Sequence, residues 1–320
     1  MKALQFADGE LTLAETPRPD RQGEALVRVL KSGICNTDLE IVRGYARFEG
    51  TIGHEFVGIV ETAPGRPALV GKRVVGEINV GCGNCDLCRA GDSRHCVGRT
   101  VLGIKERSGA HAEFLMLPAG NLLEVPAEIP DDEAVFVEPL AAAIGISEQV
   151  EITSETRVAV IGDGKLGLLC AFAMRLKTSR ISLIGKHASK LEIAKKRGIE
   201  GVLLTDAEKI RSGFDVVIEA SGSESGFATA LDLVRPRGKI VLKSTFHGMP
   251  TWEAWRVVVD EITIIGSRCG RFAPAIEALA AGRVTVSDLI SERFSLSDGV
   301  RAMREAGIRG TLKIILEMNG

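Results

Sequence analysis

The stretch VAVIGDGKLGLLCAFAM, residues 158–174, starts as an apolar strand-like run, passes through three glycines and ends as a helix-like run. The glycines have the G-x-G-x-x-G spacing of a dinucleotide-binding turn. The first permits a tight turn, the second lets the backbone approach a pyrophosphate, and the third lets helix and strand pack closely. The free N–H groups at the helix start favour a phosphate. The predicted cofactor-binding residues of this turn are Gly162, Asp163, Gly164, Lys165, Leu166 and Gly167.

The sequence around this turn supports the same interpretation. Apolar runs of strand length recur from about residue 156: RVAVIG, RISLIG, GVLLT, FDVVIEA, KIVLKS and ITIIGS. Helix-like segments lie between most of them, among them ESGFATALDLVRPRG, residues 224–238. Strands buried on both faces and alternating with helices indicate a doubly wound parallel sheet of six strands. A glycine turn without a ligand is the alternative, and this context disfavours it.

The first ~120 residues have a different texture, with short alternating β segments separated by glycine and proline. They predict a compact β-rich domain, so the fold class is α/β with two domains. The last residues, VSDLISERFSLSDGVRAMREAGIRGTLKIILEM, end in another strand-like run that is able to rejoin the first domain.

The end of the second predicted parallel strand bears on the choice of cofactor. An acidic residue there accepts hydrogen bonds from the ribose hydroxyls of NAD. This chain has Gly185, Lys186 and His187 instead, a small residue followed by two groups able to carry positive charge. We therefore predict that these three residues bind cofactor and that NADP is preferred. The alternative is that Lys186 and His187 merely begin a solvated helix.

Composition excludes several classes of function. The net charge is -2 and aromatic residues make up 4% of the chain, so nothing favours a nucleic-acid partner. The first fifteen residues lack the basic and apolar regions of a signal peptide, and no apolar run is long enough to span a membrane. We expect a cytoplasmic protein, whose seven cysteines are reduced.

Four of those cysteines lie in GCGNCDLCRAGDSRHC, residues 81–96. A redox pair, a nucleic-acid-binding zinc knuckle and a closed metal site are the alternatives. The lobe around these cysteines, residues 81–99, has three arginines and no aromatic residue, which disfavours the knuckle. The redox pair is also disfavoured, because a redox C-x2-C normally starts a helix after a strand. Four thiolates fill a tetrahedral zinc site and leave no position for catalysis.

A second set of possible metal ligands is spread along the chain. The segment GICNTDLE supplies Cys35, Thr37 and Asp38, and TIGHEFVG supplies His54 and Glu55; Glu138 lies in VFVEPLAAA. A thiolate, an imidazole and carboxylates can bind Zn²⁺ while leaving a position for substrate. Each residue alone is more often structural, and only the combination with a cofactor domain carries weight.

Together these motifs resemble the zinc-dependent alcohol dehydrogenases of the medium-chain dehydrogenase/reductase superfamily. The resemblance covers essentially the whole chain and includes C-x-T-D, G-H-E, E-P, the glycine turn and the C-x2-C-x2-C-x7-C spacing. It implies a GroES-like catalytic domain, residues 1–137 and 268–320, with a structural-zinc lobe at 81–99. A Rossmann domain, residues 138–267, is inserted between its two parts.

The resemblance also implies the roles of individual residues. Cys35, His54 and Glu138 hold a catalytic zinc, and Glu55 is either a fourth ligand or a carboxylate behind the metal. Thr37 accepts the proton of the alcohol, and Asp38 orients His54. A structural zinc, the second of two per chain, is held by Cys82, Cys85, Cys88 and Cys96. The implied reaction transfers hydride between a secondary alcohol or polyol and a nicotinamide cofactor.

Some features depart from the family pattern. Glu40 stands where many members have a relay histidine, and the loop after G-H-E is short. The G-H-E and E-P segments resemble the polyol and threonine dehydrogenase branches.

A zinc-free quinone or enoyl reductase and a catalytically silent scaffold are the alternatives, and the metal set argues against both. The expected partners are a small alcohol, polyol or carbonyl substrate and a second copy of the chain, as a dimer or tetramer.

Overall fold

The computed structural model describes residues 1–44, 47–209, 212–245 and 252–318. The chain forms two compact units, Met1–Glu138 with Phe272–Gly320, and Pro139–Arg271. The first unit is therefore built from both ends of the chain. Among the described residues, no helix has both the length and the apolar content needed to cross a bilayer.

The strands and helices alternate irregularly in the first unit and regularly in the second. In chain order the strands are β1 Lys2–Ala7, β2 Glu10–Glu15, β3 Ala25–Ile34, β4 Gly50–Thr51, β5 Glu55–Thr62, β6 Arg73–Gly76, β7 Asn79–Val80, β8 Thr100–Val101, β9 Phe114–Leu117, β10 Leu122–Glu124, β11 Val158–Ile161, β12 Ile181–Gly185, β13 Glu200–Leu203, β14 Phe214–Glu219, β15 Val234–Leu242, β16 Thr263–Gly266, β17 Ile290–Ser295 and β18 Lys313–Glu317. The helices are α1 Asn36–Val42, α2 Asp86–Arg89, α3 Asp131–Ala134, α4 Val137–Ile144, α5 Ile146–Gln149, α6 Lys165–Arg175, α7 Ala188–Lys195, α8 Glu224–Leu233, α9 Ala254–Val259, α10 Phe272–Ala280 and α11 Gly299–Ala306.

The first unit is organised around a seven-stranded sheet in the order β10-β6-β5-β3-β18-β17, with β9 also pairing with β3. Alternate residues of β3 are buried, as the alternating sequence predicts. The C-terminal strand β18 pairs antiparallel with β3, so that Ile314 lies opposite Ile34. The tail of the chain thus completes the sheet that its beginning starts.

The second unit contains the predicted sheet of six parallel strands, in the order β13-β12-β11-β14-β15-β16. The two strands nearest the glycine turn, β11 and β12, are buried at every residue, as expected for a sheet covered by helices on both faces. The order reverses between β11 and β14, which places a ligand crevice at the carboxyl ends of these strands. The predicted Rossmann architecture is confirmed.

One predicted boundary in the second unit is wrong. The segment VRPRG, taken as the end of a helix, begins strand β15 at Val234. The parallel register between β14 and β15 shifts at this point, between Phe214 and Val216. Pro236 has no N–H to donate, and Arg237 has a positive φ of 60°. Both features interrupt regular pairing, and the proline makes the segment look unlike a strand in sequence.

Candidate functional site

The glycine turn has the geometry that a bound phosphate requires. Gly162 has a φ of 111°, and a Cβ on it would lie 2.5 Å from the carbonyl oxygen of Ala220. A Cβ on Gly167 would lie 1.9 Å from the oxygen of Gly162. A Cβ on Gly164, in contrast, would meet no atom of the described residues within 4 Å. Because Gly164 is the N-cap of α6, its open side leaves the N–H groups of the helix start accessible to an anion.

The end of β12 differs from the expected arrangement. The sequence predicts no carboxylate at this place, since position 185 is glycine. The structure brings one there from the glycine turn, because the side chain of Asp163 lies over Gly185. Lys186 is exposed, and His187 contacts Asp163. The space beside Gly185 is therefore filled by Asp163.

The structure brings Cys35, His54 and Glu55 together. One possible ligand atom from each lies within 4.8 Å of the other two. Cys35 is the N-cap of α1 immediately after β3, and His54 directly precedes β5. Because β3 and β5 are paired neighbours, residues at their ends meet. Glu138, at the start of α4, is not part of this group.

Asp38 lies behind this group and is fully buried. It accepts a hydrogen bond of 2.7 Å from the backbone N–H of Cys35. Its Oδ1 lies 3.3 Å from Nδ1 of His54, an ion-pair distance without hydrogen-bond alignment. Burial alone would raise the pKa of Asp38, but His54 and His111 outweigh burial and lower it. Asp38 is therefore a buried carboxylate beside the ring of His54, and its role in orienting that ring stays a prediction.

Lys313 is a residue of this site that the sequence analysis missed. It lies on β18, is fully buried, and donates from Nζ to Oε2 of Glu55 and, at 3.4 Å, to the oxygen of Ile34. Burial lowers the pKa of Lys313, but Glu55, Cys35 and Asp38 together outweigh burial and raise it. The sequence does contain a signal for this residue, namely a lysine inside the otherwise apolar run LKIIL.

His111 and Ser32 were also missed. His111 is fully buried, its Nδ1 lies 2.8 Å from Oγ of Ser32, and its Nε2 lies 3.5 Å from Oδ2 of Asp38. A Cβ on Gly53 would lie 2.5 Å from the ring, so the glycine of G-H-E leaves room for this histidine. Asp38 thus lies between two imidazoles, those of His54 and His111.

The remaining predicted residues of this region lie close by. Oγ1 of Thr37 is 3.8 Å from Sγ of Cys35, in the first turn of α1. Glu40, three residues further along the helix, forms an ion pair with Arg43 at 2.8 Å. The Thr37 hydroxyl is therefore close to the thiol, and Glu40 is paired with Arg43.

Cys35, His54 and Glu55 fit a zinc ion. Sulfur, imidazole nitrogen and carboxylate oxygen are the donor types of catalytic zinc sites, and three protein ligands leave a position for substrate. Oε1 of Glu55 is buried without a hydrogen-bond partner among the described residues. A buried carboxylate oxygen in this state is stabilised by a cation.

The four lobe cysteines also come together. Their Sγ atoms all lie within 4.8 Å of one another. The backbone N–H groups of Asn84 and Cys85 lower the pKa of the Cys82 thiol to about 6, which favours a thiolate. All seven cysteines are free thiols. The lobe fits a closed, tetrahedral four-thiolate zinc site.

Comparisons with known proteins agree with this geometry. Residues 21–127 match the alcohol dehydrogenase GroES-like domain, and residues 164–285 match the zinc-binding dehydrogenase family. The chain is 32% identical to erythritol/L-threitol dehydrogenase of Mycolicibacterium smegmatis, over 89% of this chain and 88% of the relative.

Two solved structures have the same fold over 99% of this chain, each at 26% identity. One is an alcohol dehydrogenase of Escherichia coli CFT073 in complex with NADH, with a TM-score of 0.91 and 99% of its own chain covered. The other is a zinc-binding dehydrogenase of Sinorhizobium meliloti bound to NADP, with a TM-score of 0.90 and 98% covered.

Proposed function

The chain belongs to the zinc-dependent alcohol dehydrogenases of the medium-chain dehydrogenase/reductase superfamily, and on that premise we propose that it is a zinc enzyme that transfers hydride between a secondary alcohol or polyol and NADP. An NAD(P)-dependent alcohol or polyol dehydrogenase is the class to which its relatives belong. The observation that carries the proposal is the convergence of Cys35, His54 and Glu55 within 4.8 Å.

The catalytic zinc is assigned to the group Cys35, His54 and Glu55, with Glu138 as the further predicted ligand. When bound, zinc supplies a Lewis acid that makes the substrate hydroxyl more acidic, and the nicotinamide supplies the hydride acceptor. Asp38 holds the ring of His54 through Nδ1, which leaves Nε2 for the metal. Lys313 holds one oxygen of Glu55 and so limits how that carboxylate moves.

Thr37 accepts the proton that the substrate alcohol releases. Oxidation of an alcohol to a carbonyl releases one hydride and one proton, and the proton needs an acceptor near the hydroxyl. The Thr37 hydroxyl is both donor and acceptor and lies beside Cys35. It therefore takes the substrate proton and passes it outward to solvent.

The cofactor is assigned to residues 162–167, with Gly185, Lys186 and His187 at the adenosine end. The open side of Gly164 and the start of α6 receive the pyrophosphate. Lys186 is exposed and able to meet a 2′-phosphate as a flexible cation, which supports NADP over NAD. A cytoplasmic location, where thiolates stay reduced, completes this assignment.

The second zinc, in the four-cysteine lobe, is structural. Residues 81–99 of the lobe form the short helix α2 and a 3-10 turn, Ser93–His95, and the two-residue strands β7 and β8 flank them. Its coordination sphere is filled by Cys82, Cys85, Cys88 and Cys96, so it has no position for substrate. Two zinc ions per chain are therefore expected.

A homo-oligomer is also proposed. Strand β16 is an edge of the six-stranded sheet, and the neighbouring helix α9 exposes Trp255, Val258 and Val259 by 60%, 75% and 68%. Apolar side chains beside an open sheet edge are typical of a contact with a second copy. Light scattering during size exclusion should give a dimer or tetramer that W255S/V258S dissociates; an unmodified monomer would refute it.

The function is tested by a panel of secondary alcohols, polyols and their carbonyl products with NADP and with NAD, followed by absorbance of the reduced nicotinamide. We expect turnover of at least one alcohol or polyol, with kcat/KM at least tenfold higher for NADP. With enones and quinones added to the panel, turnover of these compounds alone would identify a zinc-free reductase. Cofactor binding with one zinc per chain and no turnover of the panel would identify a silent scaffold.

A further inference from the structure

Asp163, the residue between the first two glycines of the turn, folds its side chain back onto the end of β12. A Cβ on Gly185 would lie 2.5 Å from both Cβ and Oδ2 of Asp163. Position 185 therefore has to be glycine while Asp163 is present. Many such folds place an acidic residue at the position of Gly185. Here Asp163 of the glycine turn brings an acidic group to this place, although it lies 24 residues before His187 in sequence.

The carboxylate of Asp163 is fully engaged with His187. Its Oδ2 accepts the backbone N–H of His187 at 2.6 Å. The ring atom Nδ1 lies 3.1 Å from Oδ1 and 3.0 Å from Oδ2. A carboxylate only accepts, so Nδ1 carries a proton. The other ring nitrogen, Nε2, has no hydrogen bond to any residue that the structure describes.

The two side chains differ in exposure. The side chain of Asp163 is 10% exposed and that of His187 is 31% exposed. The negative charge is thus covered, whereas the imidazole reaches the surface beside the exposed Lys186. A ligand at this place meets one ammonium group and one imidazole edge, both of which suit an anion.

We propose that Asp163 is a positioning residue that fixes His187 as a hydrogen-bonding group for the 2′-phosphate of NADP, with Lys186 as the second cationic contact. This inference rests on the proposed function and names the residues that select the cofactor. A phosphate monoester offers strong acceptor oxygens, and His187 donates to them from Nε2 as the imidazolium, while its Nδ1 donates to Asp163. A held ring binds at a smaller entropic cost than a free one. Asp163 acts through His187 and does not touch the phosphate.

The opposite role is that Asp163 itself accepts the ribose hydroxyls and repels a 2′-phosphate. The contacts disfavour it, since both carboxylate oxygens already face N–H groups of His187 and the side chain is buried. The two roles predict opposite effects when the charge of Asp163 is removed.

The test is isothermal titration calorimetry of the zinc-loaded, full-length protein with 2′,5′-ADP and with 5′-AMP, which represent the adenosine halves of NADP and NAD. The unmodified protein should bind 2′,5′-ADP at least tenfold more tightly. D163N should weaken 2′,5′-ADP about tenfold and leave 5′-AMP unchanged. The matched control E192Q removes an exposed charge on α7 and should change neither Kd.

A second variant separates positioning from a structural role. H187L should lose the same tenfold preference, and D163N added to H187L should change the Kd ratio no further. An additive effect in that double variant would overturn the positioning role, and so would tighter binding of 2′,5′-ADP to D163N.

The inference and the proposed function fail in different ways. Equal Kd values for the two nucleotides in the unmodified protein overturn the inference and leave a dehydrogenase without NADP preference. Binding of neither nucleotide overturns the cofactor site, and with it both proposals.

Discussion

Glu55 and Lys313 form the buried ion pair of the candidate catalytic centre. Both side chains are fully buried, and a Cβ on Gly33 would lie 2.4 Å from Oε2 of Glu55, so the surrounding backbone is shaped to fit the pair. Removing one partner of a buried pair leaves an uncompensated charge. The pair therefore holds the end of β18 to the metal-binding group, and its loss is costly to the fold.

We expect K313M to destabilise the protein by about 3–5 kcal/mol, because Glu55 is left charged and buried. Thermal and urea unfolding measure this change in a C35S background, where no catalytic zinc compensates the charge of Glu55. The double variant E55Q/K313M should recover much of the loss, since it carries no unpaired charge. A single variant as stable as the unmodified protein would show that the pair contributes nothing.

Residue contacts across long sequence separations explain what sequence reasoning missed. Cys35, His54 and Glu55 were predicted because each stands in a recognisable motif. Lys313 is 258 residues from Glu55, and His111 is 79 residues from Ser32. Nothing in the local sequence states which strands become neighbours. Asp163 was singled out with its turn, but its contact with His187 depends on how α6 and β12 pack.

At the scale of elements, the cysteine lobe is the segment most dependent on a bound ion. It is predicted well from sequence because four thiols at fixed spacing permit few alternatives. Residues 81–99, all described by the structure, include no strand, and β7 and β8, two residues each, pair on either side of them. A segment this short does not bury enough apolar surface to fold by itself.

We therefore expect C88S to lose one zinc per chain and to lower the melting temperature by several degrees, since structural zinc binding is coupled to folding. The kcat of the molecules that stay folded should be unchanged. Elemental analysis, thermal unfolding and active-site titration measure the three quantities. C269S is the matched control and should keep two zinc ions; C88S with undiminished zinc would show that Cys88 is not a ligand.

The two ends of the chain are also joined by an ion-pair network at the strand ends of the first unit. Asp132 contacts Lys31 of β3 at 2.7 Å and Arg293 of β17 at 2.6 Å, and Lys31 also contacts Glu317 of β18 at 2.7 Å. Burial raises the pKa of Asp132, but Arg293 and Lys31 outweigh burial and lower it.

A carboxyl group with a lowered pKa stabilises the fold above its unfolded pKa of about 3.9, and this contribution is lost as pH falls through the folded value. We expect D132N to cost about 1 kcal/mol at pH 7 and progressively less below pH ~4. Urea unfolding across this pH range measures the difference. D20N, which changes an exposed aspartate, should show no such trend; a pH-independent cost for D132N would contradict the network.

At the scale of the whole molecule, the order of elements was predictable because six apolar runs alternate with helices around the glycine turn. The first unit was harder to predict, since its main sheet combines strands from both ends of the chain, such as β3 and β18. The helix predicted over VRPRG is wrong because the proline of this segment is unusual in a strand, and the positive φ of Arg237 is not visible in the sequence.

The central claim is that one chain holds two zinc ions with different duties, one for chemistry at Cys35, His54 and Glu55 and one for structure in the cysteine lobe. Its most direct test is the zinc content per chain, measured together with turnover of the best alcohol substrate, in the unmodified protein and in C35S. The account predicts two zinc ions and turnover in the first, and one zinc ion, an intact fold and no turnover in the second. Near-normal turnover by C35S, or turnover by an unmodified chain whose single zinc lies in the cysteine lobe, would contradict it.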